Sequence, residues 1–209
     1  MSQKEVISNL RKSSYRFITW RTKIVEPIAK VMVKAGLSSK SVSFIRLLFL
    51  AGFIYFLNDL KIAFWFILMA EVLDGFDGPV AKLQKKESDY GKFVDMTVDQ
   101  VVEVFFIIGL IYAGVVEFLL GTYFIAASAF LIVFAMIDYR KFTKTDWLFK
   151  SETSYFDIAP RILVYLSFIL LVWGGVNIYP VLLLVLNVYM TLLVIYHFYM
   201  IGKKYKVKR

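Results

Sequence analysis

Apolar residues run along this chain in long stretches, each broken by a short polar or basic segment. Six stretches stand out, near residues 41–59, 61–82, 92–115, 118–138, 160–177 and 180–202. About 20 mostly apolar residues in a helix cross the roughly 30 Å of a bilayer's hydrocarbon core. The pattern therefore predicts an all-α, polytopic integral membrane protein with six transmembrane helices. The second and third stretches are apolar at one end and carry acids at the other. Residues 1–36 differ in kind. Trp20, Ile24, Ile28, Val31 and Ala35 recur at helical spacing, with Arg21, Lys23, Lys30 and Lys34 between them. This predicts an N-terminal amphipathic helix lying on the inner leaflet. Gly36 is a natural end for that helix, and Ser38–Ser43 a polar lead into the first span. The expected organisation is a juxtamembrane segment over 1–36 and one membrane domain over 37–209.

Composition agrees with the pattern. Hydrophobic residues make up 59% of the chain and charged ones only 20%. No core of 209 residues hides that much apolar surface, so lipid must cover the rest. A soluble enzyme, a disordered tail and a coiled coil are excluded. The net charge is +9. Its distribution argues for topology rather than for nucleic acid, which is not an expected partner. Of the 25 Lys and Arg, all but Lys61 fall before the first span or within it, between spans two and three, between spans four and five, or in the C-terminal tail. Basic residues gather on the cytoplasmic side, so both termini are expected there. There is no cysteine and one histidine, His197. Cysteine-ligated and histidine-rich metal sites are thereby excluded. The first 20 residues contain no apolar core of a cleavable signal peptide.

The informative polar residues are acids. Asp74 and Asp77 are three apart and share one helix face; Asp95 and Asp99 are four apart and share another. A short basic turn joins the two helices, so they are antiparallel neighbours and the four carboxylates converge near the cytoplasmic interface. Ionisable groups at membrane depth are costly and rarely face lipid. Four carboxylates in one low-dielectric cavity repel one another, and a hard divalent cation relieves that. An all-oxygen donor set suits Mg²⁺ or Mn²⁺, also Ca²⁺. The number of acids suits two metal ions, or one ion and a catalytic base. Gly75, Gly78, Gly91 and Ala81 lie among the acids. Small residues there either admit a ligand close to the backbone or let helices pack closely. Glu71 and Glu103 fall on the same faces deeper in the membrane and are candidate partners of Arg46. Pro79 is expected to kink the second span. His197 is read as a packed or hydrogen-bonded residue.

The spacing Asp74-x2-Asp77-Gly78-x2-Ala81-Lys82-x8-Gly91-x3-Asp95-x3-Asp99 resembles the signature of the CDP-alcohol phosphotransferase family, D-x2-D-G-x2-A-R-x8-G-x3-D-x3-D. Seven of its eight fixed positions agree; Lys82 stands where the family has Arg. Residues 27–43 also look like the family's approach to its first span, with Ser39-Lys40 in place of Pro-Asn. The resemblance implies transfer of a substituted phosphate from a CDP-linked lipid to an acceptor hydroxyl, with release of CMP. It implies that Asp74, Asp77 and Asp95 ligate divalent metal at the diphosphate. Asp99 would be the general base and touch a second metal. Gly78, Ala81, Lys82 and Gly91 would form the nucleotide site. It also implies a homodimer in the cell membrane.

The acceptor is less legible. Arg140, Lys141 and Arg161 lie at the cytoplasmic ends of spans four and five. They read either as ligands for an acceptor phosphate, such as inositol phosphate or glycerol phosphate, or as inside-loop charges. An alternative within the same chemistry is an aminoalcohol phosphotransferase that uses CDP-choline or CDP-ethanolamine and a diacylglycerol-type acceptor. A cation transporter is the alternative from another class. It would place acids near the bilayer midplane rather than at one interface.

Overall fold

The computed structural model describes residues 25–86, 88–141 and 147–206. Residues 1–24 lie outside this set, so the first two thirds of the expected amphipathic segment are not described, Trp20, Arg21, Lys23 and Ile24 included. Every described element is a helix: α1 (Val25–Lys34), α2 (Ser39–Tyr55), α3 (Leu60–Leu83), α4 (Asp89–Tyr112), α5 (Phe118–Lys141), α6 (Trp147–Gly174) and α7 (Tyr179–Lys206). The all-α expectation holds, and α2 to α7 overlie the six apolar stretches. By length and composition together, one described helix segment, Tyr179–Tyr199, qualifies as a span on its own. The α1–α2 pair qualifies jointly but is bent by 101°. α3 and α4 are each 24 residues long, but both carry the acids noted above.

The helix starts follow from local chemistry. The first amides of a helix lack partners, and short polar side chains supply them. Ser38 Oγ accepts from the Ser41 amide at 3.2 Å, and Asp59 Oδ1 from the amides of Lys61 and Ile62 at 3.0 and 3.2 Å. Ser88 Oγ accepts from the Gly91 amide at 3.0 Å, and Asn177 Oδ1 from Tyr179 at 3.1 Å. α1 ends where the glycine predicts. Gly36 adopts φ +81°, and the Leu37 and Gly36 amides donate back to the carbonyls of Met32 and Val33. That is the left-handed cap that glycine adopts without strain. Pro79 does not break α3, which is continuous through it.

The chain divides into two compact units. One comprises residues up to Gly52 and Phe66–Val102; the other comprises Phe53–Trp65 and the residues from Glu103 onward. α2, α3 and α4 thus contribute to both. In the first unit, α1 is pinned to α2 and α3 by a small core of Ala29, Val42, Phe76 and Val80. Gln84 Nε2 donates to the Leu37 carbonyl at 2.9 Å, which ties the turn after α1 to the end of α3. On the solvent side of α1, a hydrogen bond from Lys30 holds the Glu26 carboxyl below its ordinary range. α2 and α3 approach closely at Gly52, where any Cβ would run into the Phe66 ring. Gly52→Ala gains helix propensity of about 1 kcal/mol but overpacks this contact by about 1–3 kcal/mol. We expect a net loss, read as a lower melting temperature in detergent.

In the second unit, aromatic rings form the core. Phe53, Phe106 and Phe168 stack mutually, the closest centroids lying 5.3 Å apart. α7 packs along α5. Tyr123 Oη and Thr191 Oγ1 pair at 2.7 Å, and Asn187 Nδ2 donates to the Leu120 carbonyl at 3.0 Å. His197 Nδ1 lies 2.8 Å from the Leu193 carbonyl one turn back, as expected of a hydrogen-bonded histidine. The exterior stays strongly apolar: Leu119, Val181 and Phe198 are each at least 70% exposed.

Candidate metal centre

The signature aspartates lie within the first unit, on the facing ends of α3 and α4. Asp74 and Asp77 project from α3, Asp95 and Asp99 from α4. Single carboxylate oxygens of Asp74, Asp95 and Asp99 lie within 4.8 Å of one another. All three side chains are half-buried. Asp77 is fully buried, 2% exposed, and accepts a hydrogen bond from Ser43 Oγ of α2 at 2.9 Å. It stands beside this triad rather than in it, and the buried hydroxyl fixes its orientation.

An arginine from the first apolar stretch occupies the centre. Arg46 of α2 is wholly buried, 0% exposed. Its Nη1 lies 2.8 Å from Asp74 and 3.6 Å from both Asp77 and Asp95, while Nη2 donates to Asp99 Oδ1 at 2.6 Å. The expectation that Arg46 pairs with Glu71 or Glu103 is corrected: its ion pairs are with the four aspartates. The reason is position. Ser43 and Arg46 are three apart and share the α2 face turned to the cluster. Glu103, in the second unit, instead accepts from Ser128 Oγ at 3.2 Å.

The donor set fits a divalent cation. Ligand oxygens at about 2.1 Å from Mg²⁺ stand between roughly 3 and 4 Å apart, a spacing that the triad reaches with small side-chain adjustments. Only hard oxygens are offered, and four formal negative charges face one guanidinium. A net deficit of positive charge at a half-buried site is what a hard cation neutralises.

The glycines separate. A Cβ at Gly78 would meet nothing within 4 Å, so helix packing does not explain this glycine among the described residues. A Cβ at Gly91 would lie 3.2 Å from Ser88 Oγ, so its smallness serves the α4 cap as well. Ala81 is half-buried and Lys82 exposed, on the same helix as Asp74 and Asp77. Arg161 belongs to the second unit, where it lines a small cavity with Glu103, Phe106, Phe124, Val164 and Tyr165. The side chains of Arg140 and Lys141 lie outside the described residues.

The defining pattern of the CDP-alcohol phosphatidyltransferase family matches residues 38–193, well over half of the chain. The chain belongs to this family. CDP-alcohol phosphatidyltransferases are membrane-embedded enzymes of phospholipid synthesis. An archaetidylinositol phosphate synthase of Pyrococcus horikoshii is similar over 119 residues at 26% identity, which covers 52% of this chain and 63% of that protein. The match thus spans a little under two thirds of the relative's length. The sequence reading missed Ser43 of this cluster and gave Arg46 the wrong acid partners. A lone Arg inside an apolar stretch was the available signal, because such a charge requires acid partners.

Proposed function

We propose that this protein transfers a phosphatidyl-type group from a CDP-linked lipid to a polar acceptor alcohol. The observation that carries this reading is the convergence of Asp74, Asp95 and Asp99 within 4.8 Å, inside a signature matched at seven of eight positions. Asp74, Asp77, Asp95 and Asp99 hold one or two Mg²⁺ or Mn²⁺ ions. Bound metal supplies neutralisation of the diphosphate and of the charge that moves onto the leaving CMP. Asp99 removes the acceptor's proton as its oxygen attacks the lipid-side phosphorus. The P–O bond to CMP breaks, and CMP departs with the electron pair.

Inositol phosphate is the first acceptor to test, on the likeness to the Pyrococcus protein and on the basic residues at the end of α5 and within α6. Glycerol phosphate is the second. Arg161, with Arg140 and Lys141, is proposed to bind the acceptor's phosphate. Gly78, Ala81, Lys82 and Gly91 are proposed to flank the nucleotide. Lys82 offers a point charge where an Arg would offer a planar fork. We further propose six spans, with 1–36 as a juxtamembrane segment and 37–209 as the membrane domain. Both termini and the site face the cytoplasm, and the chain is a homodimer.

The test is CMP release by purified protein with Mg²⁺, CDP-diacylglycerol or its ether analogue, and a panel of inositol phosphate, glycerol phosphate, inositol and serine. Release with a phosphorylated acceptor is expected; silence with every pair would overturn the assignment. Gly78 gives a finer check. A Cβ at Gly78 meets nothing within 4 Å, so the melting temperature of Gly78→Ala should hold. A side chain filling the nucleotide's space should raise the KM for the CDP donor about tenfold or more, since steric exclusion acts on binding. An unchanged KM would remove Gly78 from the nucleotide site.

A further inference from the structure

The reaction chemistry above gives Arg46 no task, yet Arg46 is among the largest fully buried side chains described. Its guanidinium reaches Asp74 and Asp77 on α3 and Asp95 and Asp99 on α4, the closest contacts being 2.8 Å to Asp74 and 2.6 Å to Asp99. A planar fork with donors on both arms can bridge carboxylates from two helices at once, which an ammonium does less well. Burying that charge in an apolar helix is costly unless acids compensate it. The three aspartates whose oxygens cluster within 4.8 Å, the best-placed metal ligands, are all among its partners.

We infer that Arg46 is a positioning residue, a built-in counter-cation that holds the α3 and α4 carboxylates together in metal-free protein and competes with the divalent ion for them. This rests on the metal-site reading above. Two consequences follow from one position. Without metal, Arg46 offsets the mutual repulsion of four carboxylates and keeps the site assembled. With metal, its positive charge lies beside the ion and lowers the ion's affinity. The site is thereby set to bind its metal weakly, with room for the donor's diphosphate to complete the coordination.

The experiment compares wild-type protein, Arg46→Met and Arg46→Lys in detergent after chelation and dialysis. Free Mn²⁺ is titrated by its electron paramagnetic resonance signal, and melting is followed with and without Mn²⁺. Arg46→Met should bind Mn²⁺ at least tenfold more tightly than wild type. Its melting temperature should fall by about 10 °C in chelator, the scale of breaking a buried ion pair in a chain of this size, and recover with Mn²⁺. Arg46→Lys keeps the charge but not the fork. It should stay folded in chelator and show an intermediate gain in affinity. If Arg46→Met does not fold, the Arg46→Lys constant decides. A merely structural Arg46 would shift melting and leave the Mn²⁺ constant alone. Variants that bind Mn²⁺ no more tightly than wild type would overturn the proposal by itself. Wild-type protein that binds no Mn²⁺ would overturn the metal-site reading together with it.

Discussion

Asp99→Asn should lower CMP release by about 10³ or more and leave the protein folded. General-base catalysis contributes about 10²–10⁴, and an amide cannot take the acceptor's proton. The fold should survive because Asn keeps the oxygen that Arg46 Nη2 donates to, at 2.6 Å in the parent protein. The melting temperature is therefore expected near that of wild type. The variant also separates two roles. If raising Mn²⁺ restores the rate, Asp99 acts as a ligand and not as the base. If the loss persists at saturating metal, the proton-transfer role stands. Activity near the wild-type level would remove Asp99 from the chemistry.

Removal of divalent metal should have an effect of similar size. Treatment with EDTA is expected to reduce CMP release to background, and Mg²⁺ or Mn²⁺ to restore it. The four aspartates carry more negative charge than Arg46 neutralises, and a donor diphosphate brings further negative charge to the same place. Without a cation that encounter is repulsive at a half-buried site, where screening by water is reduced. Restoration measured as rate against free metal also counts the ions, because a two-ion requirement gives a sigmoidal dependence. Full activity in EDTA would dismiss metal from the mechanism.

The helices and the aspartates were legible in the sequence for a simple reason. Hydrophobic runs of span length and i, i+3 or i, i+4 acids are one-dimensional signals, and a helix converts them directly into faces. The end of α1 was readable too, because few residues other than glycine adopt φ +81° without strain. What the chain order hid was the third helix of the site. Ser43 and Arg46 are separated from Asp77 and Asp99 by 34 and 53 positions, and only tertiary packing brings them there. Arg46 was expected to pair with Glu71 or Glu103 because only packing shows which acids its face of α2 meets. Helix start positions shifted for a related reason: caps such as Ser38 and Asn177 are polar residues that hydropathy assigns to loops. α6 begins at Trp147, well before the apolar stretch near 160, because hydropathy alone does not register helix in polar sequence.

The 101° bend between α1 and α2 has a consequence for where chemistry happens. On the proposed topology α2 runs along the membrane normal, so α1 lies nearly flat, like an outrigger resting on the lipid surface. Arg46 follows Ser39, the start of α2, by seven residues, about 10 Å down the helix at 1.5 Å per residue. A headgroup layer is roughly 5–8 Å thick on each side of the bilayer. On that topology the aspartates would be held just under the headgroups. A CDP-lipid's diphosphate need only sink by about its own length to meet them, while its tails stay in the leaflet. On the proposed topology the depth of the reaction follows from this elbow in the chain, and shortening or lengthening the 35–38 turn should retune it without touching a single ligand.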